Sequence, residues 1–330
     1  MMAGNRSPAL LLIGHGSQDD QGVSQFRALA AEVETQAPHL LHGAGFIEWA
    51  EPGLDDAIDA LVADGARSIV AVPLVLLGAG HRKDDGPATL ARARLRHRGV
   101  TFSYARELGV DPDILAVAED RTRAAIAKLP ATTGQLRHSN GGLDDETTAD
   151  GSRCAMTAVV LVGRGSTDPD ANADLYKVAR LLADSRGITA RATPRGTRAP
   201  VAGSGYTSLA MVEPAFVSLA PPLVPDALDR CSRLGASSIA VVPYFLFTGV
   251  LLERIRLQVA QWAGEHPGTC VSTGEEMGAD PRIASLVLER YREAVNGRAT
   301  INCDCCVHRV PLPGYEDRVR APLPLTRTGH

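Results

Sequence analysis

LLLIGHGSQDD (Leu10–Asp20) stands near the start of this 330-residue chain, and VVLVGRGSTDPD (Val159–Asp170) stands near its middle. Each is an apolar run that ends in Gly-x-Gly-Ser and passes into acidic residues. Three further landmarks repeat in the same order. GFIEWAEPGLDDAI (Gly45–Ile58) is matched by AFVSLAPPLVPDAL (Ala215–Leu228), and GARSIVAVPLVLLGAGH (Gly65–His81) by GASSIAVVPYFLFTGVL (Gly235–Leu251). Leu108-Gly-Val-Asp-Pro112 is matched by Met277-Gly-Ala-Asp-Pro281. The chain therefore contains one unit twice.

Within a unit, short β-rich apolar runs alternate with amphipathic stretches. In the first copy, strands are expected near 9–14, 44–49, 68–77 and 100–104, with helices near 21–36, 53–64, 84–97 and 111–128. Strands alternating with helices predict an α/β fold with a doubly wound parallel sheet. Runs such as Ile69–Leu77 are apolar at nearly every position, as strands covered on both faces must be. Gly65 and Gly235 fall where a helix C-cap is expected. The predicted organisation is a first repeat over 1–130, a solvated linker over 131–155, a second repeat over 156–297 and a Cys-containing tail over 298–330. The two doubly wound domains are expected to face each other across a cleft.

Composition removes several function classes. The formal charge of −4, from 34 basic and 38 acidic residues, argues against a nucleic-acid partner. No apolar run is long enough to cross a bilayer, so no membrane partner is expected. MMAGNRSPALLLIGHGS lacks a secretory signal core, and a cytoplasmic location is expected. A nicotinamide site needs Gly-x-Gly-x-x-Gly, but Gly14-His-Gly16-Ser-Gln-Asp has no third Gly. Neither a P-loop lysine nor the Gly-x-Ser-x-Gly of a serine hydrolase is present.

In open parallel sheets, ligands bind beyond the carboxyl ends of the strands. His15 follows strand one, Glu48 ends strand two and His81 follows strand three, so the three can share one rim. Two imidazoles and a carboxylate suit a first-row divalent metal. The second copy is an internal control, because Arg164, Ser218 and Leu251 stand at the matching positions. The framework is kept while all three metal-capable side chains are gone. Arg164 can instead take a substrate carboxylate through its planar fork. Ser17 either donates a hydrogen bond from the same rim or caps the next helix.

The second copy carries 21 extra residues between these landmarks, around Arg186–Ser208. This Gly/Pro-rich stretch, with Arg191, Arg195 and Arg198, reads as a surface loop or as a basic lid over an anionic substrate. The tail places Cys303, Cys305, Cys306 and His308 within six residues. Such thiolates bind soft metals as Fe–S or Zn, or form a redox-exposed tail or a metal-trafficking arm.

GHGS at 14–17, FIEWAEP at 46–52 and VPLVLLGAGHRKDD at 72–85 resemble the class II metal chelatases of the CbiX/SirB type, in their long form with two fused halves. The similarity covers about 1–297. It implies insertion of Co²⁺ or Fe²⁺, the metal substrate, into sirohydrochlorin for cobalamin or sirohaem synthesis. His15, Glu48 and His81 would hold the metal and accept pyrrole protons. The long, Cys-tailed architecture resembles the cobalamin branch, which favours cobalt. Candidate partners for the substrate carboxylates are Arg82, Lys83 and Arg106 in the first half, and Arg164, Arg195 and Arg198 in the second. Some long members carry a C-terminal Cys-x-x-Cys Fe–S cluster, which would match Cys303 and Cys306, with Cys305 and His308 as further donors. Because the second half lacks the trio, one active centre per chain is expected. The chain would work as a monomer, or as a homodimer joined through the Cys tail. The competing reading is a non-catalytic tetrapyrrole or metal carrier using the same cleft.

Overall fold

The computed structural model describes residues 7–78, 80–130, 156–184 and 209–298, with the side chains of 80–85 and 209–210 outside that description. The first repeat runs β1 (Ala9–Gly14), α1 (Asp20–Gln36), β2 (His42–Phe46), α2 (Leu54–Ala63), β3 (Ser68–Pro73), α3 (Gly80–Arg96), β4 (Thr101–Tyr104) and α4 (Pro112–Ala127). The second runs β5 (Met156–Gly163), α5 (Pro169–Asp184), β6 (Leu209–Phe216), α6 (Val224–Arg233), β7 (Ala236–Pro243), α7 (Val250–Glu265), β8 (Cys270–Thr273) and α8 (Pro281–Val295). The strand orders are β2-β1-β3-β4 and β6-β5-β7-β8, and every pairing is parallel. No helix among the described residues is long and apolar enough to cross a membrane.

Side chains alternate across a strand, so each sheet splits its apolar residues between two cores. Ala9, Leu11 and Ile13 face an outer core with Leu54, Ile58 and Leu61 of α2 and Leu90 of α3. In the second repeat, Ala158, Val160 and Val162 face an equivalent outer core under α6 and α7. Leu10 and Leu12 share a third core with Val159 and Leu161 of the other sheet and with residues of α1, α4, α5 and α8. One continuous core thus joins the two repeats, and the cleft opens at one end of it.

The fourth repeated landmark turns out to be a helix entry. Gly109 and Gly278 take φ of 72° and 69°. Asp111 and Asp280 then cap α4 and α8 by accepting from Asp113 N and Arg282 N, and Pro follows at the first helical position. Each last helix also returns an arginine to the other repeat's entry. Arg290 of α8, fully buried, donates to the Leu108 carbonyl at 2.7 Å and to Asp111 at 2.8 Å. Arg121 of α4 donates to the carbonyls of Glu276 at 2.8 Å and Met277 at 2.6 Å. Arg121 and Arg290 each lie ten residues past their capping Asp. The exchange has the self-complementary form of a two-fold interface, closed here within one chain.

Three expected boundaries shift, each for a reason. The second strand stops at Phe46: Ile47 N makes the last ladder bond, to the Gly14 carbonyl that ends β1, and Glu48 N then bonds the His15 carbonyl beyond the strand, both at 3.0 Å. The third stops at Pro73; Leu74 N makes one last bond to the Ile13 carbonyl at 2.9 Å, and the apolar run 74–77 lines the cleft. The third helix begins at Gly80, earlier than expected, which puts His81 in its first turn.

Candidate metal centre and macrocycle cleft

The loops at the carboxyl ends of both sheets surround one cleft of about 660 Å³. Its first-repeat wall includes His15, Ser17, Phe26, Phe46 and Leu74–Leu77. Its second-repeat wall includes Arg164, Ser218, Leu219, Tyr244–Leu252 and Arg254. Phe26 packs on Phe46 with ring centroids 4.5 Å apart and meets Phe247 edge-on at 6.0 Å. An aromatic cluster therefore bridges the two repeats beneath the cleft, with Phe26 and Phe46 buried in the shared core and Phe247 partly exposed. Gln25 of α1 fixes the repeats' relative position at the rim. It accepts from Thr248 N at 2.7 Å and donates to Glu276 at 2.6 Å.

His15 and Glu48 meet on this rim, with Nδ1 3.2 Å from Oε1 and side chains 36% and 46% exposed. The backbone forces the encounter. Glu48 N donates to the His15 carbonyl, and Ala50 N donates back to the Glu48 carbonyl at 2.9 Å. Gly16, at φ 97°, lies under this crossing; a Cβ there would stand 1.6 Å from the Glu48 carbonyl oxygen. The Gly-His-Gly turn is therefore required by the approach of the 47–50 loop, and no phosphate cradle is needed to explain it. Among the described residues no group of three His, Cys, Asp or Glu side chains converges. The third expected member, His81, is on the first turn of α3, and its side chain lies outside the described set.

The second repeat reproduces the crossing with different chemistry. Ser218 N and Oγ donate to the Arg164 carbonyl at 3.1 and 3.2 Å, and a Cβ on Gly165 would stand 1.8 Å from the Ser218 carbonyl oxygen. Arg164 is exposed in the cleft, and no carboxylate of the described residues pairs with it. Leu251 lines the same wall.

The other expected site residues divide. Ser17 lines the cleft, but its Oγ accepts from Asp19 N at 3.0 Å, and Asp19 is the residue that caps α1. Arg106 is not in the cleft. Glu293 of α8 holds its guanidinium through two bonds of 2.8 and 2.9 Å, so its charge serves the contact between repeats. The side chains of Arg82 and Lys83 lie outside the described residues, as do Arg195, Arg198, Cys303, Cys305, Cys306 and His308, and with them the proposed lid and cluster.

Sequence reading missed three contributors. Tyr244 lines the cleft, buried, and its hydroxyl finds no hydrogen-bond partner among the described residues. Burial pushes that phenol well above its ordinary range, so it stays neutral. Its twin position is Leu74, and this polar-for-apolar exchange inside a repeated landmark was the available signal. Gln25 and Arg254 carried no such motif.

A family model, CbiX, matches residues 9–125 and again 158–294. The sirohydrochlorin cobaltochelatase of Priestia megaterium is 31% identical over 316 residues, covering 96% of this chain and 89% of that protein. The structure of SirB from Bacillus subtilis with Fe³⁺ aligns with a TM-score of 0.65 at 25% identity, over 90% of this chain and all of that one. That of the sirohydrochlorin chelatase SirB from Bacillus subtilis subspecies spizizenii in complex with cobalt aligns at 0.60 and 26%, over 88% and 96%. Both repeats, matched over most of their length and built as the same duplicated α/β unit, place this chain in the CbiX family.

Proposed function

We propose that this protein is a sirohydrochlorin chelatase that inserts a divalent first-row metal into the tetrapyrrole. One observation carries the reading. A His–Glu pair stands on the rim of an aromatic cleft in one repeat, and an arginine and a serine replace it in the other. Co²⁺ is the metal assigned first, because a relative covering 96% of the chain is named a cobaltochelatase; Fe²⁺ is the alternative.

The chemistry follows from the residue types. The metal substrate binds His15 and Glu48, with His81 as third donor, and keeps its remaining positions for water. Three donors with open positions hold an ion that must later leave. The macrocycle enters above Phe26, Phe46 and Phe247, and Arg164 takes one of its carboxylates. As the metal passes to the pyrrole nitrogens, two N–H protons depart. The two imidazoles freed of the metal, His15 and His81, each accept one proton, and the Glu48 carboxylate, 3.2 Å from His15, stabilises the imidazolium formed there. Two protons leave as one dication enters, so charge balances. The tail cysteines, Cys303, Cys305 and Cys306 with His308, are proposed from sequence as donors to an Fe–S cluster. Thiols so grouped suit a reducing, cytoplasmic compartment. Brown, iron-containing protein from anaerobic purification supports that cluster, and colourless, iron-free protein refutes it.

The test is the absorption change of sirohydrochlorin with catalytic protein and excess Co²⁺. The reading predicts many turnovers per chain, and a loss of about 10²-fold or more in His15→Ala with folding retained. Conversion that stops at one equivalent per chain would identify a carrier instead.

A further inference from the structure

We propose that Arg254 is a second carboxylate-binding residue of the cleft, working with Arg164 from the repeat that lacks the metal ligands. The inference rests on the tetrapyrrole reading above and deepens it.

Arg254 is exposed on the second turn of α7, lines the cleft, and pairs with no carboxylate of the described residues. Its neighbours Glu253 and Arg256 satisfy each other instead. Val250, Arg254 and Leu257 recur at helical spacing, so they share one face of α7. Val250 and Leu257 are 61% and 71% exposed, and Leu219, across the loop, is 62% exposed. Large apolar side chains left exposed beside a guanidinium that meets no carboxylate among the described residues form a ledge for a ligand that is apolar on its face and acidic on its edge. Leu252, Ile255, Val259 and Trp262 occupy the opposite, buried face, so nothing in the packing of α7 requires the ledge.

The internal repeat supplies an independent argument. Counting from the paired Pro73 and Pro243, the twin of Arg254 is position 84, an aspartate. His15 likewise has Arg164 as its twin. At two cleft-lining positions the second repeat thus carries a guanidinium where the sequence of the first carries a group able to bind a cation, the Asp84 side chain lying outside the described residues. One wall attracts the metal, and the other attracts the acid groups of the macrocycle. Bidentate guanidinium–carboxylate contacts at two separated points also fix the orientation of a planar ligand.

The experiment measures sirohydrochlorin dissociation constants by fluorescence, KM and kcat by absorption, and Co²⁺ affinity by calorimetry. It compares wild type, Arg254→Ala, Arg254→Lys, Arg254→Asp and, as a same-helix charge control, Arg256→Ala. We expect Arg254→Ala to raise Kd and KM about tenfold, with kcat within about twofold and Co²⁺ affinity unchanged. Arg254→Lys should recover part of the loss, and Arg254→Asp should exceed it. The same Kd and KM in Arg254→Ala and Arg256→Ala would overturn the inference while wild-type turnover upheld the chelatase reading. Wild type that binds the tetrapyrrole without turning over would overturn that reading, and the dissociation constants would still decide Arg254. Wild type that does not bind the tetrapyrrole would overturn both.

Discussion

At Gly16 a Cβ would collide with the carbonyl that positions Glu48, and at Gly165 the same collision recurs beneath Ser218. The next loops repeat a second feature. Trp49 and Leu219 take φ of 66° and 67°, a left-handed conformation unusual for bulky residues, directly after the crossing. Because it also occurs in the repeat without metal ligands, this strain belongs to the loop crossing and not to metal chemistry. Gly16→Ala and Gly165→Ala should therefore each cost more than about 3 kcal/mol, measured by urea denaturation. A loss confined to Gly16→Ala would show that the crossing is not shared. Much at this scale was legible in the chain. The His15/Arg164, Glu48/Ser218 and His81/Leu251 exchanges came from comparing the repeats; His15, Arg164 and Ser218 line the cleft, and Glu48 stands against His15. Arg106 was misjudged because sequence gives the charge of a side chain but not its partner, which lies 187 residues away on α8.

At the scale of elements, strand and helix identity followed from hydrophobic period, and boundaries failed where residues serve the site. Apolar residues 74–77 read as strand because a cleft lining and a strand buried on both faces demand the same composition. The Gly-x-Asp-Pro landmark was recognised as a repeat, but its role needed α4 and α8 in place. Each supplies the capped turn on one repeat and the arginine that engages the other. Arg290→Met should lower unfolding free energy by about 3 kcal/mol or more, because Asp111 loses its buried cationic partner. A urea midpoint and slope matching wild type would mean that the exchange is incidental. His81 belongs to the first turn of α3, a helix that joins the outer core through Leu90 and Ala93.

At the scale of the molecule, one shared core makes the two repeats a single folding unit, and three of its titratable groups link stability to pH: Glu293, paired across the repeats with Arg106, Asp280 at the entry of α8, and His42. Arg106 holds the Glu293 carboxyl below its ordinary value of 4.5, and Arg282 holds Asp280 below 3.8. Burial holds His42 below 6.5. In all three the folded state binds protons less readily than the unfolded chain, so their stabilisation is complete above the ordinary value and lost as pH falls through the folded one. Melting temperature should start to fall below pH 6.5 and fall more steeply below 4.5, with Glu293→Gln flattening the acid limb. An acid limb unchanged in that variant would contradict the assignment. The duplication was fully legible from four landmarks in order, whereas the continuous core was not, since apolar alternation cannot say which face meets the other copy. The account as a whole rests on the metal entering at one repeat only. Anomalous diffraction at the cobalt edge, from crystals grown with Co²⁺, tests this most directly. One cobalt peak in the cleft of each chain, against His15 and Glu48, is the predicted result. A peak at Arg164 and Ser218, or a cleft without cobalt, would contradict it.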